Sequence, residues 1–491
     1  MNISPITLSR NQVLYEQVAE RLQGLITEGT LKPGDRLPSV RKLREQLSVS
    51  TSTVLEAYRL LEDRGLIMAR PQSGYYVKQT ALDFPREPSA TTPSLQPHEI
   101  DIALAFQVTS TMGDPGMIPL GAAFPAMEHL PLAQLNRLMG KVLRENSIAA
   151  HSYGAITGCE ELRSEIARRM LDAGCSVSPE QLVITNGANE AIYLSLQALT
   201  QPGDTIAVES PTYFAVLEAM KARQLKALTV PTHPREGLSL VHLEEAFQTG
   251  KVAACLLISN FSNPLGSCMS DLKKKRLVEL LNQYDVPLIE DDVYGDLYFE
   301  GTRPKAIKAF DTEDRVLYCS SVSKTISPGM RTGWCAGGRY HSKVSKMKSV
   351  VNFGTSIALQ LTVAAFLANG GYDRHLRQLR RVYQSQMNRM QQAICDYFPA
   401  ETCISRPQGG HVLWLEMPSE FDTLRLYREA LEHRIGIAPG IMFSASGKCY
   451  NNCFRINTSV AWTPAIDQAI QTLGHLAKRQ LAEHLLQENS P

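Results

Sequence analysis

The chain has 491 residues, of which 44% are hydrophobic and 20% charged, with a formal net charge of +1. This length exceeds one ordinary core, so two or more domains are expected, and the composition excludes a disordered or fibrous chain. The charge balance excludes a uniformly polybasic nucleic-acid binder.

Chemistry-bearing elements start at the N-terminus. Residues 1–80 hold 11 Lys/Arg against 8 Asp/Glu, a mildly basic segment on a near-neutral remainder. "LYEQVAERLQGLITE", residues 14–28, places Leu14, Val18, Leu22, Leu25 and Ile26 on one helical face. "GTLKPGDRLPS" breaks that helix with two glycines and two prolines. Ser39 is placed to cap a short helix, "VRKLREQL". After a tight turn through 48–50, Ser50 or Ser52 caps a further helix running to Gly65. "LIMARPQSGYYV" reads as two strands about a turn. Three helices and a hairpin make a winged helix-turn-helix, assigned to residues 10–78.

Residues 79–112 are expected to be a linker. The stretch 78–99 contains four prolines, several Ser/Thr and few large apolar residues, a partly extended tether. From 113 to 491, helical patterns alternate with short apolar runs: "QLVIT", "DTIAVE", "KVAACLLIS", "VPLIEDD", "RVLYCSS" and "GWCAGG". Such runs belong to strands buried on both faces, so the fold class is α/β with a mostly parallel sheet.

Several residues in this second part suit one chemistry. Lys324, in "SSVSKTISPGMRTGW", supplies an amine, and Asp291, at the end of a strand, supplies a carboxylate. Tyr294 lies three residues on, and Asn263 sits in the turn "SNPLG". Gly187 and Ala188, in "TNGANEAI", open a helix whose backbone N–H groups can meet a phosphate. Ser321 and Arg331 complete that cradle, Tyr213 offers a flat ring, and Arg455, in "CFRIN", offers a bidentate fork for a carboxylate. These are the requirements of pyridoxal 5'-phosphate: a lysine for its aldehyde, an acid for its pyridine nitrogen, donors for its ring oxygen, a stacking ring and a phosphate cup.

The segments "HSYGAITG", "TNGANEAI", "ESPTYFAV", "SNPLG", "EDDVYGDL", "SSVSKTISPGMRTGW" and "FRIN" occur in the order found in fold-type I aminotransferases, and residues 113–475 resemble that superfamily. The resemblance implies a small α+β subdomain from about 375 to 491. It implies Lys324 as the cofactor-binding lysine and Asp291 as partner of the pyridine nitrogen. Asn263 and Tyr294 become partners of the ring oxygen, Tyr213 the stacking ring and Arg455 the carboxylate anchor. Tyr153 is implied to reach the phosphate of a neighbouring subunit, which makes the protein a homodimer.

The first 80 residues resemble the GntR winged-helix family through "LYEQVAERL", "LKPGDRLPSVRKL", "VSTSTVLEAYRLLEDRGLI" and "ARPQSGYYV". The fusion resembles the MocR subfamily of GntR regulators. It implies that Ser50, Thr51, Ser52 and Thr53 begin a recognition helix in the major groove. Arg36, Ser39, Arg41, Lys42 and Arg44 then face phosphates, and Arg70 and Gly74 form a wing. In one departure, Thr51 stands where GntR proteins commonly carry an arginine, so bidentate reading of guanine is not available there.

Three functions are therefore expected in outline. One is a regulator that binds double-stranded DNA and senses the cofactor, an amine or an amino acid. Another is a working aminotransferase that carries a DNA-binding domain. The third is a dimeric scaffold whose cofactor only stabilises the fold. Ten dispersed cysteines, with Cys449 and Cys453 lacking a second pair at zinc-site spacing, predict no metal centre. The start "MNISPITLSRNQV" lacks an apolar signal core, and no run of roughly 18 apolar residues occurs, so a cytoplasmic location is expected.

Overall fold

The computed structural model describes residues 13–488, apart from 28–29, 32–33, 71–72, 78–84, 103–107, 109–113 and 115. The chain divides into two compact units. One comprises Met1–Arg86, Ser385–Thr402 and Trp462–Pro491, and the other Glu87–Gln384 and Cys403–Ala461.

In the first unit, α1 (Leu14–Thr27), α2 (Val40–Leu47) and α3 (Thr51–Asp63) precede a hairpin of β1 (Ile67–Arg70) and β2 (Gly74–Val77). The apolar stripe read from the sequence is the buried one: Val18, Leu22, Leu25 and Ile26 pack with Leu43, Val54, Leu61 and Ile67. Leu14 is the exception, at 40% exposure on the first turn. Ser39 caps α2 by accepting from Lys42 N–H, and Ser50 caps α3 by accepting from Thr53 N–H. The turn between them ends α2 with Ser48 in the left-handed region, φ 53°. Tyr58 is wholly buried and donates its hydroxyl to the Pro38 carbonyl at 2.5 Å, tying α3 to the approach of α2. The hairpin is antiparallel, with Ile67 opposite Val77 and Arg70 opposite Gly74. The Arg70 side chain and residues 71–72 of the predicted turn lie outside the described residues.

The second unit is built on an eight-stranded sheet in the order β3-β10-β9-β8-β7-β4-β5-β6. Its strands are β3 (Leu182–Thr185), β4 (Thr205–Ser210), β5 (Lys226–His233), β6 (Gly237–Leu238), β7 (Val252–Leu257), β8 (Leu288–Asp291), β9 (Val316–Ser321) and β10 (Gly333–Ala336). β4 runs parallel to β5 and β7, and β8 parallel to β7 and β9, while β10 runs antiparallel to both β9 and β3. Every residue of β3, β4, β8 and β9 is buried, as strands covered on both faces must be. One apolar layer gathers Leu162, Ile166, Ile184 and Phe366, and another gathers Leu228, Phe247, Leu277 and Val316. The C-terminal ends of β3, β4, β7, β8 and β9 lie along one edge, where open α/β sheets bind ligands.

A four-stranded antiparallel sheet, β11 (Cys403–Ile404), β12 (Val412–Glu416), β14 (Cys453–Asn457) and β13 (Ala438–Pro439), completes this unit. Arg455 stands in β14 opposite Trp414.

Part of the stretch read as a tether is tied down. Glu87 pairs with Arg235 at 2.6 Å, and His98 exchanges backbone hydrogen bonds with Ala227 on β5. Thr91 donates to the Ser210 carbonyl at 2.6 Å and accepts from Thr232 N–H at 3.0 Å. Asp101 N–H donates to the Ala445 carbonyl. Residues 87–101 thus form a strap along the sheet-bearing unit, because threonine and backbone groups supply hydrogen bonds that composition does not reveal. Of the expected linker, 79–84 and most of 103–112 fall outside the described residues. Among the described residues, no helix is long and apolar enough to cross a membrane, and no cluster of His, Cys, Asp or Glu is arranged to hold a metal ion.

Candidate cofactor site

The parallel strands deliver the candidate side chains to one place. β3 ends at Thr185 and passes through Asn186 and Gly187 into the helix α4 (Ala188–Leu199). Gly187 has φ 84°, a conformation that costs a residue with Cβ. An added Cβ there would also lie 2.7 Å from Arg331 Nη2. The same crowding requires Gly333, where a Cβ would meet the Gly187 carbonyl carbon at 2.5 Å. Arg331 donates to the Asn186 carbonyl at 2.8 Å, so a guanidinium stands beside the N-terminus of α4. Ser321, buried at the end of β9, is paired in register with Gly333. Gly187, Ala188, Ser321 and Arg331 therefore surround one anion-seeking corner.

Lys324 follows β9 in a short 3-10 turn and donates its ammonium to the Ala123 carbonyl at 2.7 Å. Its Nζ lies 5.8 Å from the centre of the Tyr294 ring and 5.9 Å from that of Phe124. Burial lowers its pKa to about 8, Arg455 and Arg331 push the same way, and Asp291 opposes them. Asp291, 3% exposed at the end of β8, accepts from Val293 N–H at 3.3 Å. Burial, and then the neighbouring Asp292, raise its pKa to about 7. Such a carboxyl calls for a cationic partner, and a protonated pyridine nitrogen is one.

Asn263, 2% exposed, accepts from Arg455 Nη1 at 3.0 Å, and its side chain also hydrogen-bonds Tyr294. Tyr294 is 2% exposed, and burial raises its pKa. Tyr213, at the head of the helix Phe214–Ala222, has its pKa raised to about 12 by burial, with Arg455 and Asp291 both close enough to act on it.

Arg455 is 1% exposed, and besides its bond to Asn263 its Nη2 donates to the Gly121 carbonyl. Both of these partners are neutral oxygens, and its buried Nε has no hydrogen-bond partner among the described residues. Burial lowers its pKa to about 10. A guanidinium held this way is set for an incoming carboxylate.

Lys324, Asp291, Tyr294, Asn263, Tyr213, Gly187, Ala188, Ser321, Arg331 and Arg455 are thus all delivered to the edge formed by these strand ends. Tyr153 is not. It stands 90% exposed, edge-on to Phe353 at 6.0 Å.

Sequence reasoning missed several contributors. The carbonyls of Gly121 and Ala123 hold Arg455 and Lys324, and backbone acceptors leave no side-chain signature. Glu209 is buried and accepts from Ile258 N–H at 2.8 Å; burial pushes its pKa up to about 8, and that hydrogen bond opposes the shift. His411 is fully buried between the rings of Tyr294 and Tyr383, and burial lowers it to about 3. Its Nδ1–H donates to Asn457 Oδ1, which also accepts from Ser459 N–H. The doublet Gly409–Gly410 before His411, with Phe261 against both, was the available signal.

On the N-terminal module, Arg36, Arg41, Lys42 and Arg44 are exposed around α2. Arg41 is paired with Glu45 at 3.2 Å. Gly74 opens β2 with φ 103° and lies against Arg36. Ser39 and Ser50 serve as helix caps, Thr51 and Ser52 are exposed, and Thr53 is half-buried.

Residues 117–473 match the family "Aminotransferase class I and II", and residues 14–77 match "Bacterial regulatory proteins, gntR family". The uncharacterized HTH-type transcriptional regulator YdcR of Escherichia coli is 43% identical, covering 95% of this chain and 99% of that protein. Aromatic-amino-acid aminotransferase 1 of Thermococcus litoralis is 30% identical over 74% of this chain and 89% of its own length. Among solved structures, LysN, the alpha-aminoadipate aminotransferase of Thermus thermophilus complexed with N-(5'-phosphopyridoxyl)-L-leucine, has a TM-score of 0.72. It is 27% identical and covers 78% of this chain and 96% of its own.

Proposed function

Because the chain belongs to the aminotransferase class I and II family and carries a GntR-family domain ahead of it, we propose that it is a MocR-type transcriptional regulator. In this reading it binds double-stranded DNA through residues 10–78 and senses an amine or amino acid through pyridoxal 5'-phosphate held in residues 113–491. When bound, the cofactor supplies an aldehyde that accepts amines and a ring that withdraws electrons.

The chain's own residues do the rest. Lys324 presents the amine, and Asp291 holds a proton at the pyridine nitrogen. Asn263 and Tyr294 fix the ring oxygen, and Tyr213 covers the ring face. Gly187, Ala188, Ser321 and Arg331 hold the phosphate. Arg455 takes the carboxylate of the sensed molecule, exchanging its neutral partners Asn263 and Gly121 for a charged one. Tyr153, with Phe353, Ile148 and Val350 also exposed, suits burial against a second copy of the chain, whose phosphate site it then completes. The regulator is thus a homodimer acting in the cytoplasm.

The observation that carries the regulatory reading is the strap. Thr91 hangs on the Ser210 carbonyl, three residues before Tyr213. Asp101 hangs on Ala445, and Thr212 N–H donates to Phe443, whose ring lies 5.2 Å from the Arg455 guanidinium. The polypeptide leading to the DNA-binding module is therefore fastened to both walls of the site. A ligand shifts DNA affinity only by its difference in affinity for two arrangements, and a movement of these walls supplies such a difference.

The second reading, a turning-over aminotransferase, is favoured by Lys324 and Tyr213 each lying close enough to Asp291 and Arg455 to interact with them. Adding amino acids to the cofactor-loaded protein, with and without a 2-oxo acid, tests both. The regulator predicts a spectral change that accompanies altered DNA affinity without multiple turnovers. Sustained turnover with unaltered DNA affinity establishes the enzyme instead.

A further inference from the structure

The DNA-facing helix has an unusual chemistry. α3 turns Val54, Ala57, Tyr58 and Leu61 into the core, and Thr51, Ser52, Leu55, Glu56 and Arg59 outward. Guanine is read in the major groove by two donors from Arg or Lys, and adenine by the amide of Asn or Gln. Between Ser50 and Asp63 there is no Lys, Asn or Gln. The one arginine, Arg59, lies two turns into the helix and is held by Glu56 at 2.6 Å. The hydroxyls of Ser52 and Thr53 are each 2.8 Å from that of Ser50.

Leu55 is 36% exposed on this outward face, one turn after Thr51. An apolar side chain directed into the groove gains only where it meets apolar surface. The 5-methyl of thymine is the apolar group that base pairs offer there. The outward face, with Glu56 and Arg59 in balance, adds no net positive charge. Phosphate attraction thus falls to Arg36, Arg41, Lys42 and Arg44, separate from base reading.

We infer that α3 reads thymine methyl groups through Leu55 and Thr51, so the operator half-site carries A·T pairs where the first two turns of α3 meet the bases. This rests on the DNA-binding reading of the N-terminal module and adds the chemical identity of what it reads.

The test begins with selection of binding duplexes from a randomised pool by the full-length, cofactor-loaded protein. Each thymine of the selected half-site is then replaced by deoxyuridine, which removes the methyl and preserves every hydrogen-bonding edge. At one or two positions the wild type is expected to lose about four-fold in affinity per methyl. Leu55→Ala is expected to bind thymine and deoxyuridine alike at the Leu55 position. Leu55 is outside the core, so the melting temperature of this variant should match the wild type. Arg41→Ala is expected to weaken thymine and deoxyuridine duplexes equally and to reduce the salt slope by about one unit. Equal affinity for deoxyuridine at every position, or selected half-sites with guanine at the positions α3 contacts, overturns the inference. A pool that yields no enriched duplex overturns the DNA-binding reading itself, and this inference with it.

Discussion

The most quantitative consequence concerns the amine of Lys324. An ordinary lysine titrates at 10.5, and here burial, with Arg455 and Arg331 nearby, brings the value to about 8. The difference makes the free amine roughly 300 times more abundant at neutral pH than on an ordinary lysine. Only the unprotonated amine attacks an aldehyde. Cofactor loading of the apoprotein should therefore quicken about tenfold per pH unit up to about pH 8 and level off above it. The sign follows from the cause: a lowered lysine pKa places the reactive form at lower pH. Arg455→Met removes a neighbouring cation, so the plateau should move to higher pH and loading at pH 7 should slow. The assay is the growth of visible absorbance after adding pyridoxal 5'-phosphate, with mass spectrometry of the borohydride-reduced protein to place the label on Lys324. A rate that climbs without levelling until about pH 10 refutes the argument, because it describes a lysine in water.

Three further outcomes follow from named contacts. Thr91→Val strips partners from the Ser210 carbonyl and Thr232 N–H, at about 1 kcal/mol each. Ligand-induced change in DNA affinity should shrink while the visible spectrum stays, and an undiminished response counts against the strap. Gly187→Ala places a Cβ 2.7 Å from Arg331 Nη2 in a left-handed conformation. Cofactor affinity should fall at least tenfold by equilibrium dialysis. Tyr58→Phe leaves the Pro38 carbonyl without its buried donor and should lower stability of the N-terminal module by about 1–3 kcal/mol in denaturant titration.

Much of this is legible in the sequence. Continuous apolar runs marked β3, β4, β7, β8, β9 and β10, because strands covered on both faces have no polar alternation to obscure them. The chemistry-bearing residues lie at the ends of those runs, so finding the strands located the site. β5 escaped notice because Pro231 interrupts it, and proline argues against a sheet interior. The residue lacks an N–H, and the strand survives because it lies beside the edge strand β6, which pairs with it at Thr232 and His233. The strap escaped because Ser, Thr and Pro read as a tether whether their hydroxyls face water or a carbonyl. The carbonyls of Gly121 and Ala123 are invisible in principle, since every residue carries the same acceptor. Ser39 could be placed as a cap from spacing alone, whereas spacing left Ser50 and Ser52 as alternatives and the structure gives the cap to Ser50.

The central claim is that occupancy at Lys324 and binding by the winged helix are one coupled equilibrium. Its most direct test is the affinity of the full-length protein for a selected duplex, with and without pyridoxal 5'-phosphate, in the wild type and in Lys324→Ala at equal concentrations. The account predicts a shift of several-fold on cofactor addition in the wild type and a response reduced or abolished in the variant. Identical affinities in all four samples contradict it.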